Sequence, residues 1–208
     1  MATHALYLVR MDVAHDHEAT FNEVYDREHV PNLRAVTGVR RASRYRQPSA
    51  TEPRYIAAYE LDSSQVIESA AWKAAGEAGR WPTAVRPHTM NRHLATYEWV
   101  GGSAALTGNT RYVFWVMMDV EPHREPLFNE LYDNEHLPLL LKLPGCVNTV
   151  RYRTTVAGEP RYLCAYEVES ADLPMSKLWN DTSDVGRWKP EVRPYTFNKK
   201  WIVSERIL

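Results

Sequence analysis

The chain has 208 residues, a formal net charge of −1 and an apolar fraction of 44%, which is typical of a soluble globular protein. No basic excess marks a nucleic-acid surface, and no apolar run approaches the roughly 20 residues of a membrane span. The N-terminus lacks a secretory signal pattern and the two cysteines lie in apolar stretches, so we expect a cytoplasmic protein with reduced core thiols.

The first half of the chain predicts the element order βαββαβ. Hydrophobic periodicity and β-branched or aromatic content define the strands, and helical spacing defines the two helices. Pro31 disfavours helical geometry at Val30, so we expect a break or kink in the first helix near His29. The predicted elements are strands at 5–13, 39–46, 54–61 and 85–100, a turn at 47–53, and helices at 15–36 and 63–78, the second capped by Ser63 or Ser64.

The second half repeats the first. The segment FNEVYDREHVPNL at 21–33 returns as FNELYDNEHLPLL at 128–140, an offset of 107 residues. Residues 53–61 and 79–91 return at the same offset with no insertion between the blocks. The chain is therefore two fused copies of one module. We expect a first module at 1–100, a small polar linker at 101–109 and a second module at 110–208.

The order βαββαβ is the ferredoxin-like arrangement, whose sheet has one face covered by helices and one bare face. Two copies in one chain can cover those apolar faces by packing sheet against sheet. In this respect the sequence resembles the dimeric α+β barrel superfamily, and its EthD-like branch in particular. The resemblance lies in the pattern Tyr-x-x-x-His-x-Pro, which reads Tyr25 to Pro31 in the first copy and Tyr132 to Pro138 in the second.

The resemblance implies an α+β fold with the two antiparallel sheets face to face, as a pseudo-dimeric barrel within one chain, with a homodimer left open. It also implies a cavity between the sheets, bounded by the first helix. The superfamily includes oxygenases, isomerases, cyclases, lyases and haem enzymes, so the fold does not select the reaction.

His29 and His136 are the first catalytic candidates, because a neutral imidazole can accept a proton near pH 7. Tyr25 lies one helical turn before His29, and Glu28 is adjacent to it on the predicted apolar face. The alternatives are structural: His29 could cap the helix end, and Glu28 could pair with an arginine of strand two, such as Arg44.

Tyrosines and a tryptophan are the predicted substrate-binding groups. Tyr45, Tyr55 and Tyr59 share one face if position 45 pairs with position 55, and a slip of one residue would undo this. They would then line the barrel interior, although core packing explains them equally well. Trp81 could contact substrate or close the end of the barrel.

Differences between the copies suggest that they are specialised. Arg10 becomes Met117 and His88 becomes Tyr195 in the second copy, so we expect the polar, working pocket in the first copy, with Arg10 and His88 binding substrate.

The leading hypothesis is a lyase, isomerase or cyclase of aromatic-compound catabolism. It would act without a metal or other cofactor, through His29, on a hydrophobic aromatic or polyketide-like molecule. One alternative is a cofactor-free or haem-linked monooxygenase. Another is a non-catalytic ligand-binding accessory protein of a catabolic pathway.

Overall fold

Each half of the computed structural model, which describes residues 4–48 and 52–208, is built around a four-stranded antiparallel sheet. The chain divides into two compact units, one of residues 1–98 with 207–208 and the other of residues 99–206. Their elements correspond at the offset of 107 residues. The predicted duplication of a βαββαβ module is therefore seen in the elements themselves.

The first unit has the strand order β2-β3-β1-β4. The long helix predicted at 15–36 is α1, a π-helical turn and α2 in succession, and the predicted second helix is shorter. The elements are β1 (Ala5–Val13), α1 (Glu18–Val24), the π turn (Tyr25–His29), α2 (Val30–Arg34), β2 (Val39–Arg46), β3 (Tyr55–Leu61), α3 (Ala70–Gly76), a second π turn (Trp81–Val85) and β4 (Thr89–Gly102).

The second unit repeats this order as β6-β7-β5-β8. Its π turn occupies the same repeat position as that of the first unit, and a short α-helix replaces the second π turn. The elements are β5 (Tyr112–Val120), α4 (Glu125–Leu131), the π turn (Tyr132–His136), α5 (Leu137–Leu140), β6 (Cys146–Arg153), β7 (Tyr162–Val168), α6 (Lys177–Ser183), α7 (Trp188–Glu191) and β8 (Thr196–Arg206).

The predicted break near His29 is a π turn, and the helix continues through it. Pro31 has no backbone N–H, so it cannot supply the next helical donor. The N–H of Val30 instead bonds the carbonyl of Tyr25, five residues earlier, and α2 runs on to Arg34. Because this turn is wider than an α-helical turn, His29 rather than Glu28 lies on the same face of the helix as Tyr25. Gly38, with φ of +92°, follows the helix as the predicted C-terminal glycine.

Two predicted boundaries in the first unit are wrong. The second helix begins after Ser69, whose hydroxyl accepts the N–H of Trp72 at 3.1 Å, rather than after Ser63 or Ser64. Strand β4 begins at Thr89, because Arg86–His88 form a 3₁₀ turn before it. The predicted turn at 47–53 includes residues 49–51, which lie outside the described residues.

The core of each unit lies between its sheet and its own helices. Phe21, Val24 and Tyr25 are almost fully buried there, as are Phe128, Leu131 and Tyr132 in the second unit. Both cysteines are buried free thiols, as predicted. Within the described residues, no helix has the length and apolar character needed to cross a membrane.

The segment 101–109, predicted as the linker, is held by one carboxylate. Gly101 and Gly102 still belong to strand β4. The Glu167 side chain accepts the backbone N–H groups of Thr107 and Gly108, each at 2.7 Å, and Leu106 is buried. The linker is therefore an ordered part of the second unit.

Candidate functional site

A cavity of about 300 Å³ lies between the helices and the sheet of the first unit. Its floor comes from β1 and β3, and its walls come from the π turn, α3 and the segment after α3. The lining residues are Tyr7, Val9, Met11, Tyr25, His29, Leu33, Tyr59, Ile67, Trp72, Lys73, Gly76, Glu77, Trp81, Arg86, Arg92 and Leu94. Sequence reasoning placed the cavity of His29 between two sheets, whereas it lies between helices and sheet within one unit.

His29 is a buried imidazole with an unusual environment. Its ring stacks on Trp81, with centroids 4.3 Å apart, and meets the edge of Tyr25 at 5.1 Å. Its Nδ1 atom is buried and has no hydrogen-bond partner among the described residues. Burial, helped by the positive charges of Arg86 and Arg44, lowers the pKa of His29 to about 4. The ring is therefore neutral at physiological pH, and it lines the cavity as a neutral imidazole.

Three phenols accompany this imidazole. Tyr25 and Tyr59 are fully buried, and their hydroxyl oxygens lie 3.5 Å apart. Burial raises the pKa of Tyr59 well above its ordinary value, and raises the pKa of Tyr7 to about 12. These hydroxyls stay protonated, so they can donate hydrogen bonds to a developing oxyanion.

Cationic side chains lie around the same cavity. Arg86 bonds the Glu77 carboxylate at 2.5 and 3.1 Å, and Arg92 lies on the exposed rim. Arg92 is close enough to lower the pKa of both Tyr7 and His29. The positive charges therefore favour an anion inside the cavity.

Arg44 contacts Tyr25 without lining the cavity itself. Its guanidinium is buried 4.4 Å from the Tyr25 ring centroid and bonds Asn22 at 2.9 Å and the Asp26 carboxylate. A buried guanidinium needs such partners, and it fixes the helix that carries Tyr25.

Glu28 lies outside the cavity, and its predicted pairing with Arg44 is wrong. Its carboxylate accepts the backbone N–H of Arg80 at 2.8 Å and the Arg80 Nε–H at 2.6 Å. These bonds lower the pKa of Glu28. The π turn is the physical reason, because it rotates His29 inward and Glu28 outward. The catalytic role predicted for Glu28 has no geometric support.

The three strand tyrosines do not share a face, because the hairpin has the alternative register. Tyr45 pairs with Ile56 rather than with Tyr55, so its side chain lies on the sheet face opposite Tyr55 and Tyr59. Tyr55 is on the helix-covered face, but its hydroxyl donates to the Glu18 carboxylate, outside the His29 cavity. Only Tyr59 reaches the cavity.

Arg10 and His88, the residues that suggested specialisation, are also outside it. Arg10 lies on the β1 face opposite Tyr7, Val9 and Met11, and it pairs with Glu52 at 2.9 Å. His88 stacks on His17, with ring centroids 3.4 Å apart. The strand alternation that turns Tyr7 toward the helices turns Arg10 away from them.

The second unit has a cavity of about 200 Å³ at the equivalent positions. His136 stacks on Trp188 at 4.6 Å, and burial lowers its pKa to about 3. Its lining residues are Phe114, Val116, Met118, Tyr132, His136, Leu140, Tyr166, Pro174, Met175, Trp179, Asn180, Ser183, Trp188, Arg193, Thr196, Lys199 and Trp201.

The lining residues of the first cavity that were not predicted include Tyr7, Trp72, Lys73 and Arg92. Trp72 recurs as Trp179 at the repeat offset, so the repeat carried a signal for it. Tyr7 and Arg92 could be placed only after the sheet register was known.

The sequence matches no protein-family model and no curated protein. Solved structures resemble it in fold. One is a candidate monooxygenase of Fusobacterium nucleatum, with 14% identity, coverage of 100% of this chain and 94% of that one, and a TM-score of 0.66. Another is a cyanide-bound mutant chlorite dismutase of Candidatus Nitrospira defluvii, with 10% identity, coverage of 98% and 90%, and a TM-score of 0.68. A third is an anthrone oxidase-like protein, with 12% identity, coverage of 100% and 92%, and a TM-score of 0.65.

These likenesses cover both units and confirm the predicted fold class, the pseudo-dimeric α+β barrel built from two ferredoxin-like modules. The fold is that of chlorite dismutases and of the monooxygenase-like proteins that share it. The narrower EthD-like assignment stays a prediction.

Neither cavity suits a haem group. The cavity volumes are about 300 and 200 Å³, whereas small-molecule sites span roughly 300–1,000 Å³. A porphyrin needs a volume far above the lower end of that range. His29 also stacks flat against Trp81, which occupies the space beside one ring face. Among the described residues, no cluster of three or more His, Cys, Asp or Glu could hold a metal ion.

Proposed function

We propose that the protein is an enzyme that removes a proton from a small aromatic hydroxy or keto compound in the first cavity, and that O2 then oxidises the resulting carbanion. The observation that carries the proposal is the neutral His29 imidazole, which lines an aromatic cavity together with the guanidinium groups of Arg86 and Arg92. A cavity of about 300 Å³ suits a compound of about two or three fused rings.

The roles follow from the chemistry of each group. The His29 imidazole accepts the proton, and Arg86 and Arg92 stabilise the enolate or phenolate that remains. Burial lowers the pKa of free His29 most, and the charges of these arginines lower it further. A bound anion offsets the part that is due to the arginines, which makes the imidazole a stronger base when substrate is present. The protonated hydroxyls of Tyr25 and Tyr59 donate to the oxyanion.

Oxygenation is favoured over the lyase, isomerase or cyclase hypothesis by the fold likeness to an anthrone oxidase-like protein and a candidate monooxygenase. The carbanion transfers electrons to O2 and forms a peroxide at carbon. Return of the proton and loss of water leave a carbonyl group. Overall a CH2 group and O2 become C=O and H2O, so the substrate supplies all the electrons and no further reductant is needed.

The test is a stoichiometric assay with dihydroxyanthrone. We expect consumption of one equivalent of O2 for each quinone formed, and loss of this activity in His29→Gln. Conversion of an aromatic substrate without O2 uptake would instead support a lyase, isomerase or cyclase. Tight binding without any conversion, unchanged in His29→Gln, would support the accessory ligand-binding protein.

A further inference from the structure

The cavity of the second unit keeps the imidazole of the first but presents fewer charged groups. Phe114 stands at the position of Tyr7, and Asn180 at the position of Lys73. Lys199 replaces Arg92, and partial burial lowers the pKa of its ammonium group. An ammonium presents one strongly hydrated charge, whereas a guanidinium presents a planar fork of donors that matches an anionic group.

The tyrosine and arginine groups that both cavities keep are paired within the protein in each of them, since Arg86 also bonds Glu77 and the Tyr25 and Tyr59 hydroxyls also lie within 3.5 Å. The hydroxyls of Tyr132 and Tyr166 lie 3.1 Å apart and bond each other. Arg193 bonds the Asp184 carboxylate, and it also donates to the Ser183 carbonyl and hydroxyl oxygens, each at 3.2 Å. The contrast between the cavities therefore rests on the substituted positions, where Phe114 and Asn180 offer an anion no charge to offset the loss of its hydration.

Apolar surface continues from this cavity into solvent. Trp179 and Trp188 form buried walls, whereas Trp201 and Met175 line the cavity and remain 63% and 57% exposed. The position of Trp201 in the first unit is occupied by Leu94, a smaller residue. Large apolar side chains at a cavity mouth are typical of sites that take hydrophobic ligands.

From these differences we propose that the second cavity is a binding site for an uncharged aromatic compound of about one or two rings, distinct from the anion-favouring first cavity. The ligand enters between Trp179 and Trp188, and any remaining part of it lies on Trp201 and Met175. This inference goes beyond the proposed function, because it requires no reaction at His29 or His136.

A matched pair of photoreactive probes can test it. Benzophenone is neutral and 4-benzoylbenzoate is anionic, and both insert into nearby C–H bonds on irradiation. Peptide mass spectrometry of the labelled full chain distinguishes the cavities, because Met118 and Met175 line the second and Met11 lines the first. We expect benzophenone to label the second cavity in preference to the first, and 4-benzoylbenzoate to show the reverse preference.

A reciprocal exchange of one lining residue sharpens the test. Asn180→Lys gives the second cavity the lysine of the first, and Lys73→Asn removes it from the first. Both positions are exposed, and Lys73 pairs with Glu68 at 3.2 Å on the surface. We expect Asn180→Lys to raise the anionic-to-neutral labelling ratio at the second cavity about threefold, as one exposed ion pair allows.

Lys177→Asn is the matched control, since Lys177 lies on the same helix but outside the cavity. It should leave the ratio unchanged. Equal labelling of both cavities by benzophenone, its absence from the second cavity, or an equal response to Asn180→Lys and Lys177→Asn would overturn the proposal.

Discussion

The two cavities show how one duplicated site can diverge within one chain. His29 on Trp81 and His136 on Trp188 have nearly the same stacking, at 4.3 and 4.6 Å, so the scaffold of the imidazole is kept. The surroundings differ, since the first cavity has Lys73 and Arg92 where the second has Asn180 and Lys199. Burial sets the protonation of both imidazoles, and the charged rim decides which cavity favours an anion.

The largest expected difference between the cavities is in turnover. His29→Ala should lower kcat/KM for a dihydroxyanthrone by about 10² to 10⁴, the usual effect of losing a general base, whereas His136→Ala should have little effect. Unfolding of both variants should be measured alongside, because each loses the same stacked contact with a tryptophan. Equal losses of turnover in the two variants, or a larger loss from His136→Ala, would contradict the placement of the reaction in the first unit.

The stability of the fold at acid pH tests a property that the two cavities share, which is a buried neutral imidazole. The ordinary pKa of histidine is about 6.5, and the folded values are about 4 for His29 and about 3 for His136. The unfolded chain therefore binds more protons below pH 6.5, so stability is complete above that pH and falls as the pH drops toward 4. Each imidazole should cost about 2 kcal/mol of stability at pH 5 relative to pH 7.5.

The measurement is urea unfolding at both pH values. The double variant His29→Asn/His136→Asn should show a smaller pH dependence than the wild type, because all carboxylates are common to the two proteins. An identical pH dependence in the two proteins would mean that the imidazoles are not held neutral.

The smallest expected effect concerns Glu28 and Glu135, which lie beside the two imidazoles in sequence. Glu28→Gln should slightly lower the midpoint of thermal unfolding, because its carboxylate bonds the backbone and side chain of Arg80, and Glu135→Gln should act similarly through Arg187. Turnover should be unchanged in both variants. A loss of turnover in Glu28→Gln comparable to that of His29→Ala would restore Glu28 to the reaction.

The architecture could be predicted because the repeat and the strand periodicity leave few alternatives. Two of the predicted site assignments depended on local geometry that the sequence pattern does not show. The choice between Glu28 and His29 is made by the π turn before Pro31, and an α-helical projection cannot show it. The face of Tyr45 is set by the hairpin register, which depends on a turn rather than on the strands.

Arg10 shows a different difficulty. It differs between the copies, as a specialised residue should, yet it lies on the sheet face opposite the cavity. A residue that differs between the copies indicates that its surroundings differ. It does not say whether those surroundings are the cavity or the opposite face of the sheet. Lys73 and Arg92 also differ between the copies, and they could be recognised as site residues only after the cavity was known.

The central claim is that the first cavity stabilises an aromatic anion beside a neutral imidazole. Binding of 7-hydroxycoumarin tests it directly, since phenol and phenolate have different excitation spectra. We expect the bound probe to ionise at a lower pH than the free probe, and Arg92→Met, on the exposed rim, to reduce this shift, while Lys199→Met in the second cavity does not. A bound probe that stays protonated above the pH at which the free probe ionises would contradict the claim.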